Sequence, residues 1–422
     1  MDRIVVRGGR RLAGEVQASG SKNATLALMA AGLLTDGETV LRNVPRVRDV
    51  NTMMKILEAL GVRCAWDPAD DHTLRIHGGR ISHPEAPYDL VRQMRASFLV
   101  LGPLVARLGT GRVSEPGGCA IGVRPVDQHL KGLEALGAKI RLDHGYVEAS
   151  AATLTGARVA FDVSTVNGTQ NVMMAAVLAN GRTVIENAAR EPEVAELARV
   201  LTAMGAQIAG VGTDKIEIEG VRSLGGVDHS VWGDRIEVGT LLAAGLVTRG
   251  DVTVRGADPG LLDATLDKLR EAGAAVEAKG DAISLRADER ARGIKVVTAP
   301  YPGFPTDMQA QLMAALTLAE GSSVVTETVF ENRFMHVPEL VRMGADIEVA
   351  GRAAHVRGVA TLSGAPVMAT DLRASAGLLL AGLAAEGETI VSRVYHIDRG
   401  YERIEDKLRR LGAEIRRESG EG

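Results

Sequence analysis

Residues 57–62 read LEALGV, and the same ending returns as LEALGA (133–138), LTAMGA (201–206), LREAGA (269–274), VRMGA (341–345) and LRRLGA (408–413). Apolar side chains at i, i+3 and i+4 before each ending predict a helix. The glycine that follows reads as its stop, in the left-handed backbone region that glycine enters without strain. These glycines (Gly61, Gly137, Gly205, Gly273, Gly344 and Gly412) recur every 68–76 residues.

Upstream of each ending lies a run of small apolar residues: ATLALMAAGLL (24–34), ASFLVLGPLVA (96–106), QNVMMAAVLA (170–179), EVGTLLAAGLV (237–247), AQLMAALTLA (310–319) and SAGLLLAGLAA (375–385). A glycine turn and a short β-branched run follow, as in ETVLRNV (38–44), RTVIENA (182–188), DVTVRGA (251–257), SSVVTETV (322–329) and ETIVSRV (388–394). Alternating stretches such as KIEIEG (215–220) add strands. Each unit therefore reads helix, glycine turn, strand, helix, then one or two strands. Repeats this long are duplicated supersecondary units, and six of them make an α/β protein, as one array or as two groups of three. The pattern is most disturbed at LGGVDHSVWG (224–233), which reads as a domain junction, and the opening RIVVRGG (3–9) is a strand that could pair with either half.

With 45% hydrophobic residues the chain of 422 can build a sizeable core, and with 3% aromatics that core must be Ala, Val, Leu, Ile and Met. A net charge of −4 argues against a general nucleic-acid or membrane-surface binder. The two cysteines, Cys64 and Cys119, are too few for a disulfide framework, which points to a reducing compartment. The start MDRIVVRGG lacks a signal-peptide pattern, and the longest apolar runs are too short or too broken by glycine to span a bilayer. A cytoplasmic protein is expected, with no membrane contact and no metal-ligand spacing.

Function belongs where equivalent positions of the units disagree. The first helices open with Ser21-Lys22-Asn23, Met94-Arg95-Ala96-Ser97, Asn167-Gly168-Thr169, Gly233-Asp234-Arg235, Pro305-Thr306-Asp307 and Asp371-Leu372-Arg373. Ser, Asn, Thr and Asp are ordinary N-caps. Lys22, Arg95, Arg235 and Arg373 are not, because a cation at a helix start opposes the dipole, and four of them suggest anionic ligands. A second distinctive segment runs from Glu115 to Asp127, EPGGCAIGVRPVD. Its glycines predict a mobile loop. Cys119 there, beside Arg124, would have thiolate character, although a free cysteine is more often a small buried apolar residue; the flanking glycines argue against burial. Cys64, in the strand-like GVRCAW, reads as core. The third segment is His396-Ile-Asp398-Arg399-Gly-Tyr-Glu402-Arg403, either a ligand site or a solvated helix start, with FENRFMH (330–336) in the corresponding place one unit earlier.

Together GSKNATLALMAAGLL (20–34), MRASFLVLGPLVARLG (94–109), PGGCAIGVRPVDQHLKGLEALGA (116–138), ENAAREPE (186–193), FPTDMQAQ (304–311), TETVFENRFMHVPEL (326–340), MATDLRASA (368–376) and YHIDRGYERIEDKL (395–408) resemble, in order, the enolpyruvyl transferase family, in the branch that acts on UDP-N-acetylglucosamine. The resemblance implies two domains, each of three βαβαββ units in an inside-out α/β barrel, with the active site in the interdomain cleft. It implies boundaries at 22–232 for the first domain and at 1–21 plus 233–422 for the second. The implied reaction, the first committed step of peptidoglycan synthesis, moves the enolpyruvyl group of phosphoenolpyruvate to the 3-hydroxyl of UDP-N-acetylglucosamine and releases phosphate, without a cofactor.

By the same resemblance Cys119 is the acid that protonates the phosphoenolpyruvate methylene. Lys22, Arg124 and Arg399 hold its phosphate and carboxylate, and Asn23 sits beside the reacting groups. Asp307 contacts the sugar hydroxyl as base. Arg95, Arg124, Pro125, Val126, Asp127, Gln128, Ser164, Thr165, Val166 and Val329 line the UDP-sugar site, and Asp371 and Arg373 are further cleft residues. Where many relatives read VSVGAT, this chain reads STVNGTQN (164–171), which leaves the uridine contacts there less defined. The shikimate-pathway enolpyruvyl transferase is the nearest rival, but its PGDKS-like opening and missing loop cysteine do not fit. A non-catalytic ligand-binding protein on the same scaffold would have no reason to keep Lys22, Cys119, Arg124, Asp307 and Arg399 together.

Overall fold

The structure, a computed structural model, describes residues 2–115 and 126–419. Among them the chain separates into two compact units, residues 20–115 with 126–232, and residues 2–19 with 233–419. Each contains three four-stranded sheets, all six built on one plan. A strand pairs in parallel with the strand that follows the unit's first helix, and two antiparallel strands complete the sheet. Arg158–Ala160, Arg182–Glu186, Lys215–Glu219 and Gln207–Ala209 show it in one unit. Lys295–Val297, Ser322–Thr326, Ala353–Arg357 and Asp346–Ala350 show it in the other.

Three sheets borrow strands from distant sequence. Val227–Ser230 pairs in parallel with Glu38–Arg42. The segment read as a junction is thus the closing strand of the first sheet, hidden because its VDHS has no apolar alternation. Ala13–Gln17 opens the fourth sheet beside Asp251–Arg255. Arg3–Arg7 takes an interior place in the sixth, between Glu388–Ser392 and Glu414–Glu418, with Val5 facing Ile390 and Arg416. The opening strand therefore pairs with the C-terminal half.

The small apolar runs are the inner helices. Lys22–Ala31, Leu101–Leu108 and Val166–Ala176 lie in one unit, and Arg235–Val247, Gln309–Leu316 and Leu372–Ala384 in the other. They are buried around most of their circumference, as helices apolar on all faces must be. Small residues let them approach closely: a Cβ on Gly377 would lie 2.8 Å from the Ala310 carbonyl oxygen. The outer helices, such as Arg48–Ala59 and Pro192–Ala203, bury one stripe.

All six repeat glycines have positive φ; at Gly205 it is 111°, with nothing within 4 Å of where a Cβ would stand. Backbone conformation alone demands glycine there. Gly205→Ala is expected to cost about 1–2 kcal/mol, read as a lower urea midpoint; an unchanged midpoint would contradict this.

In the second unit Glu237 is buried at the start of Arg235–Val247. Both its oxygens lie 2.7 Å from Lys407 Nζ, and Oε2 also accepts the Ser19 backbone N–H at 2.6 Å. Burial raises the Glu237 pKa, opposed by Lys407. No helix among the described residues is long and apolar enough to cross a membrane.

Candidate active site

In the unit of residues 2–19 and 233–419, Asp307 lies in a single 3-10 turn, Thr306–Met308, that leads into the helix Gln309–Leu316. Its Oδ1 accepts from Arg333 Nη2 at 3.0 Å and its Oδ2 from Arg373 Nε at 3.2 Å. The arginine side chains are 4% and 3% exposed, the aspartate 27%. An ion-paired carboxylate is a common structural element. This one differs in that its cations are sealed while the carboxylate itself remains partly exposed to solvent. Burial opposes the charge of Arg373, but Tyr401, Asp307 and Asp234 outweigh it and raise its pKa.

Asp371 caps the helix Leu372–Ala384, its Oδ1 accepting the backbone N–H of Arg373 at 2.8 Å and of Ala374 at 3.0 Å. The cap fixes where Arg373 leaves the helix. Val329 joins the same neighbourhood through Glu327. Glu327 Oε1 accepts the Val329 N–H at 2.8 Å and Oε2 accepts the Thr306 hydroxyl at 2.8 Å. Arg399 is half-buried at the end of the 3-10 turn Val394–Arg399.

In the unit of residues 20–115 and 126–232, Lys22 is the first residue of Lys22–Ala31, after the cap Ser21. Its Nζ is 2.8 Å from Asp49 Oδ2, with side-chain exposures of 11% and 3%. The cation that opposes the helix dipole thus has a buried anion opposite. Asn23 follows it, half-buried. Arg95 starts the 3-10 turn Arg95–Val100, not an α-helix; the α-helix begins at Leu101. Val126 occupies the N-cap position of Asp127–Ala135, with no side-chain hydrogen bond to the helix. Gln128 donates from Nε2 to Asp127 Oδ2 at 2.9 Å and to Asp162 Oδ2 at 3.2 Å, and its Oε1 accepts the Asp162 N–H at 2.9 Å. That ties the start of Asp127–Ala135 to the stretch leading into Ser164, Thr165 and Val166. Thr165 caps the helix Val166–Ala176, its hydroxyl accepting from Gly168 N–H at 3.3 Å, and Ser164 is exposed.

Cys119, Arg124 and Pro125 lie outside the described residues. Cys64 sits in the strand Arg63–Asp67, packed against the core, and burial pushes its thiol up to about 12. Sequence reasoning missed Arg333 as an Asp307 partner, and Asp49, Glu327, Gln311 and Tyr401 altogether. For Arg333 and Tyr401 a signal existed, since both lie in the distinctive segments before the second helices of their repeats. Asp49 carried none. Among the described residues no group of three or more His, Cys, Asp or Glu is placed to hold a metal ion.

Two histidines are buried as neutral rings. Burial, with Arg95 nearby, lowers His129 to about 3. Burial also lowers His336, to about 4, against the pull of Asp371. The native state then binds fewer protons than the unfolded chain. The resulting stability is complete above about pH 6.5, the ordinary histidine value. It is lost as pH falls through the folded values. A lower urea midpoint at about pH 5 than at about pH 7.5 is expected, and equal midpoints would refute it.

Residues 6–408 match the family model of EPSP synthase (3-phosphoshikimate 1-carboxyvinyltransferase). A UDP-N-acetylglucosamine 1-carboxyvinyltransferase of Myxococcus xanthus is 60% identical over 99% of this chain and all of its own length. Among solved structures, the enolpyruvyl transferase NikO from Streptomyces tendae aligns with a TM-score of 0.89 at 28% identity, over 99% of each chain. EPSP synthase from Acinetobacter baumannii aligns at 0.78 and 19% identity, over 99% of this chain and 100% of that one, a likeness of fold alone. The two-unit architecture of repeated sheets, the family-model match and full-length identity at this level agree with one another: the chain belongs to the enolpyruvyl transferase family, in the group of the UDP-N-acetylglucosamine 1-carboxyvinyltransferases.

Proposed function

We propose that this chain transfers the enolpyruvyl group of phosphoenolpyruvate to the 3-hydroxyl of UDP-N-acetylglucosamine, releasing inorganic phosphate, in the cytoplasm and for cell-wall synthesis. The observation that carries this reading is Asp307, a partly exposed carboxylate fixed by two buried guanidinium groups, in a chain of this family. A sugar hydroxyl is a poor nucleophile until a base takes its proton, and Asp307 is the group for that task. The hydroxyl oxygen adds to C2 of phosphoenolpyruvate as C3 gains a proton. Loss of a proton from the new methyl group and departure of phosphate then restore the double bond.

By the sequence reading, Cys119 delivers the proton to C3. Lys22, Arg124 and Arg399 neutralise the carboxylate and the departing phosphate, where charge develops. Arg95, Arg124, Pro125, Val126, Asp127, Gln128, Ser164, Thr165, Val166 and Val329 bind the UDP-sugar. The Gln128 link between Asp127 and Asp162 supports that assignment, because it holds two of these stretches in one place. The chemistry is acid–base and electrostatic throughout, so no step calls for a cofactor.

The decisive assay is phosphate release from phosphoenolpyruvate with each acceptor in turn. Release with UDP-N-acetylglucosamine is expected. Release only with 3-phosphoshikimate would favour the rival enzyme, and none with either acceptor would favour a binding protein.

A further inference from the structure

The clamp on Asp307 is held in turn by buried groups that no step of the reaction uses. Tyr401 is 1% exposed, its ring centroid 5.2 Å from the Arg373 guanidinium carbon. Its hydroxyl lies 2.9 Å from Thr240 Oγ1 and 3.0 Å from Gln311 Nε2. Thr240 spends its one proton on the Ile236 carbonyl at 2.7 Å, so Tyr401 donates to Thr240 and accepts from Gln311. Gln311 Nε2 also donates to the backbone carbonyl of Asp307 at 2.8 Å. A closed circuit results, from the Asp307 carboxylate through Arg373, Tyr401 and Gln311 back to the Asp307 main chain. Burial raises the pKa of Tyr401, which keeps it the neutral donor this circuit needs.

We propose that Tyr401, with Gln311 and Thr240, is a positioning residue of the transfer reaction, fixing the Asp307 carboxylate through Arg373 on its side-chain face and through Gln311 on its main-chain face. A structural core tyrosine needs only a partner for its hydroxyl. This one engages a residue that holds the Asp307 backbone and stacks under a residue that holds its side chain. Misplacement of a reacting group by about 1 Å can cost 10²-fold in rate, so locking both faces of one aspartate has a catalytic consequence. The inference rests on the proposed function and deepens it.

The test is a double-mutant cycle read by phosphate release. Tyr401→Phe keeps the ring under Arg373 and deletes the hydroxyl. It is expected to lower kcat about 10- to 100-fold with both KM values unchanged. In an Asp307→Asn background it should have no further effect, because the circuit then positions nothing. Gln311→Met, which breaks both of its bonds in the circuit, should repeat this pattern and serves if Tyr401→Phe folds poorly. An unchanged kcat, or losses that multiply independently of Asp307, would overturn the inference while an active wild type left the functional reading intact. A wild type that releases no phosphate with UDP-N-acetylglucosamine would sink both.

Discussion

Asp307→Asn lowers kcat about 10²- to 10⁴-fold, the range that general-base catalysis contributes. The amide has the size of the carboxylate and can stay between Arg333 and Arg373, so substrate binding should suffer far less than turnover. What it lacks is the basic lone pair and the negative charge. Two nearly sealed guanidinium groups also lose their anion, which costs stability as well. Phosphate release at saturating substrate, with melting temperatures measured alongside, separates the two effects. A folded variant with near-normal kcat would remove Asp307 from the chemistry.

Lys407→Met destabilises the unit of residues 2–19 and 233–419 by about 3–5 kcal/mol, the usual result of leaving one member of a buried ion pair alone. Glu237 is 2% exposed in its side chain and Lys407 13%, so water does little to replace the missing ammonium. Among the described residues the Ser19 N–H is then the hydrogen-bond donor left to Glu237. Without Lys407 the Glu237 carboxyl, its pKa already raised by burial, would rise further. A group that binds its proton more tightly when folded makes stability fall as pH rises. The penalty should therefore shrink as pH is lowered toward the ordinary glutamate range. Urea unfolding of wild type and variant at two pH values checks both statements, and a variant matching wild type at neutral pH would show that the pair adds nothing.

Much of the fold was legible because its determinants are periodic. The six glycines after the second helices are forced by a backbone conformation, so they survive as a mark at each repeat. The inner helices announce themselves as small apolar runs because they are enclosed by neighbours. Short polar strands left no such trace. Val227–Ser230 belongs to the first sheet through backbone hydrogen bonds that any residue can make. Of the candidate site, Arg373 was readable as an ill-placed cation at a helix start, whereas Asp307 and Asp371 looked like ordinary caps and took their roles from the family resemblance. Their partners were not readable, because Arg333, Tyr401 and Gln311 matter through where the fold puts them. Asp49 looked like an ordinary first-turn acid until its distance to Lys22 was known.

Arg3–Arg7 sits inside the sixth sheet, hydrogen-bonded on one side to Glu388–Ser392 and on the other to Glu414–Glu418. During translation that strand leaves the ribosome long before either of its neighbours. The segment 20–232 can close its own three sheets while the nascent chain is still growing, since every strand it needs is already made. The other unit must keep both edges of Arg3–Arg7 waiting until Glu388–Ser392 and Glu414–Glu418 have been made, the kind of exposure that invites aggregation or a chaperone.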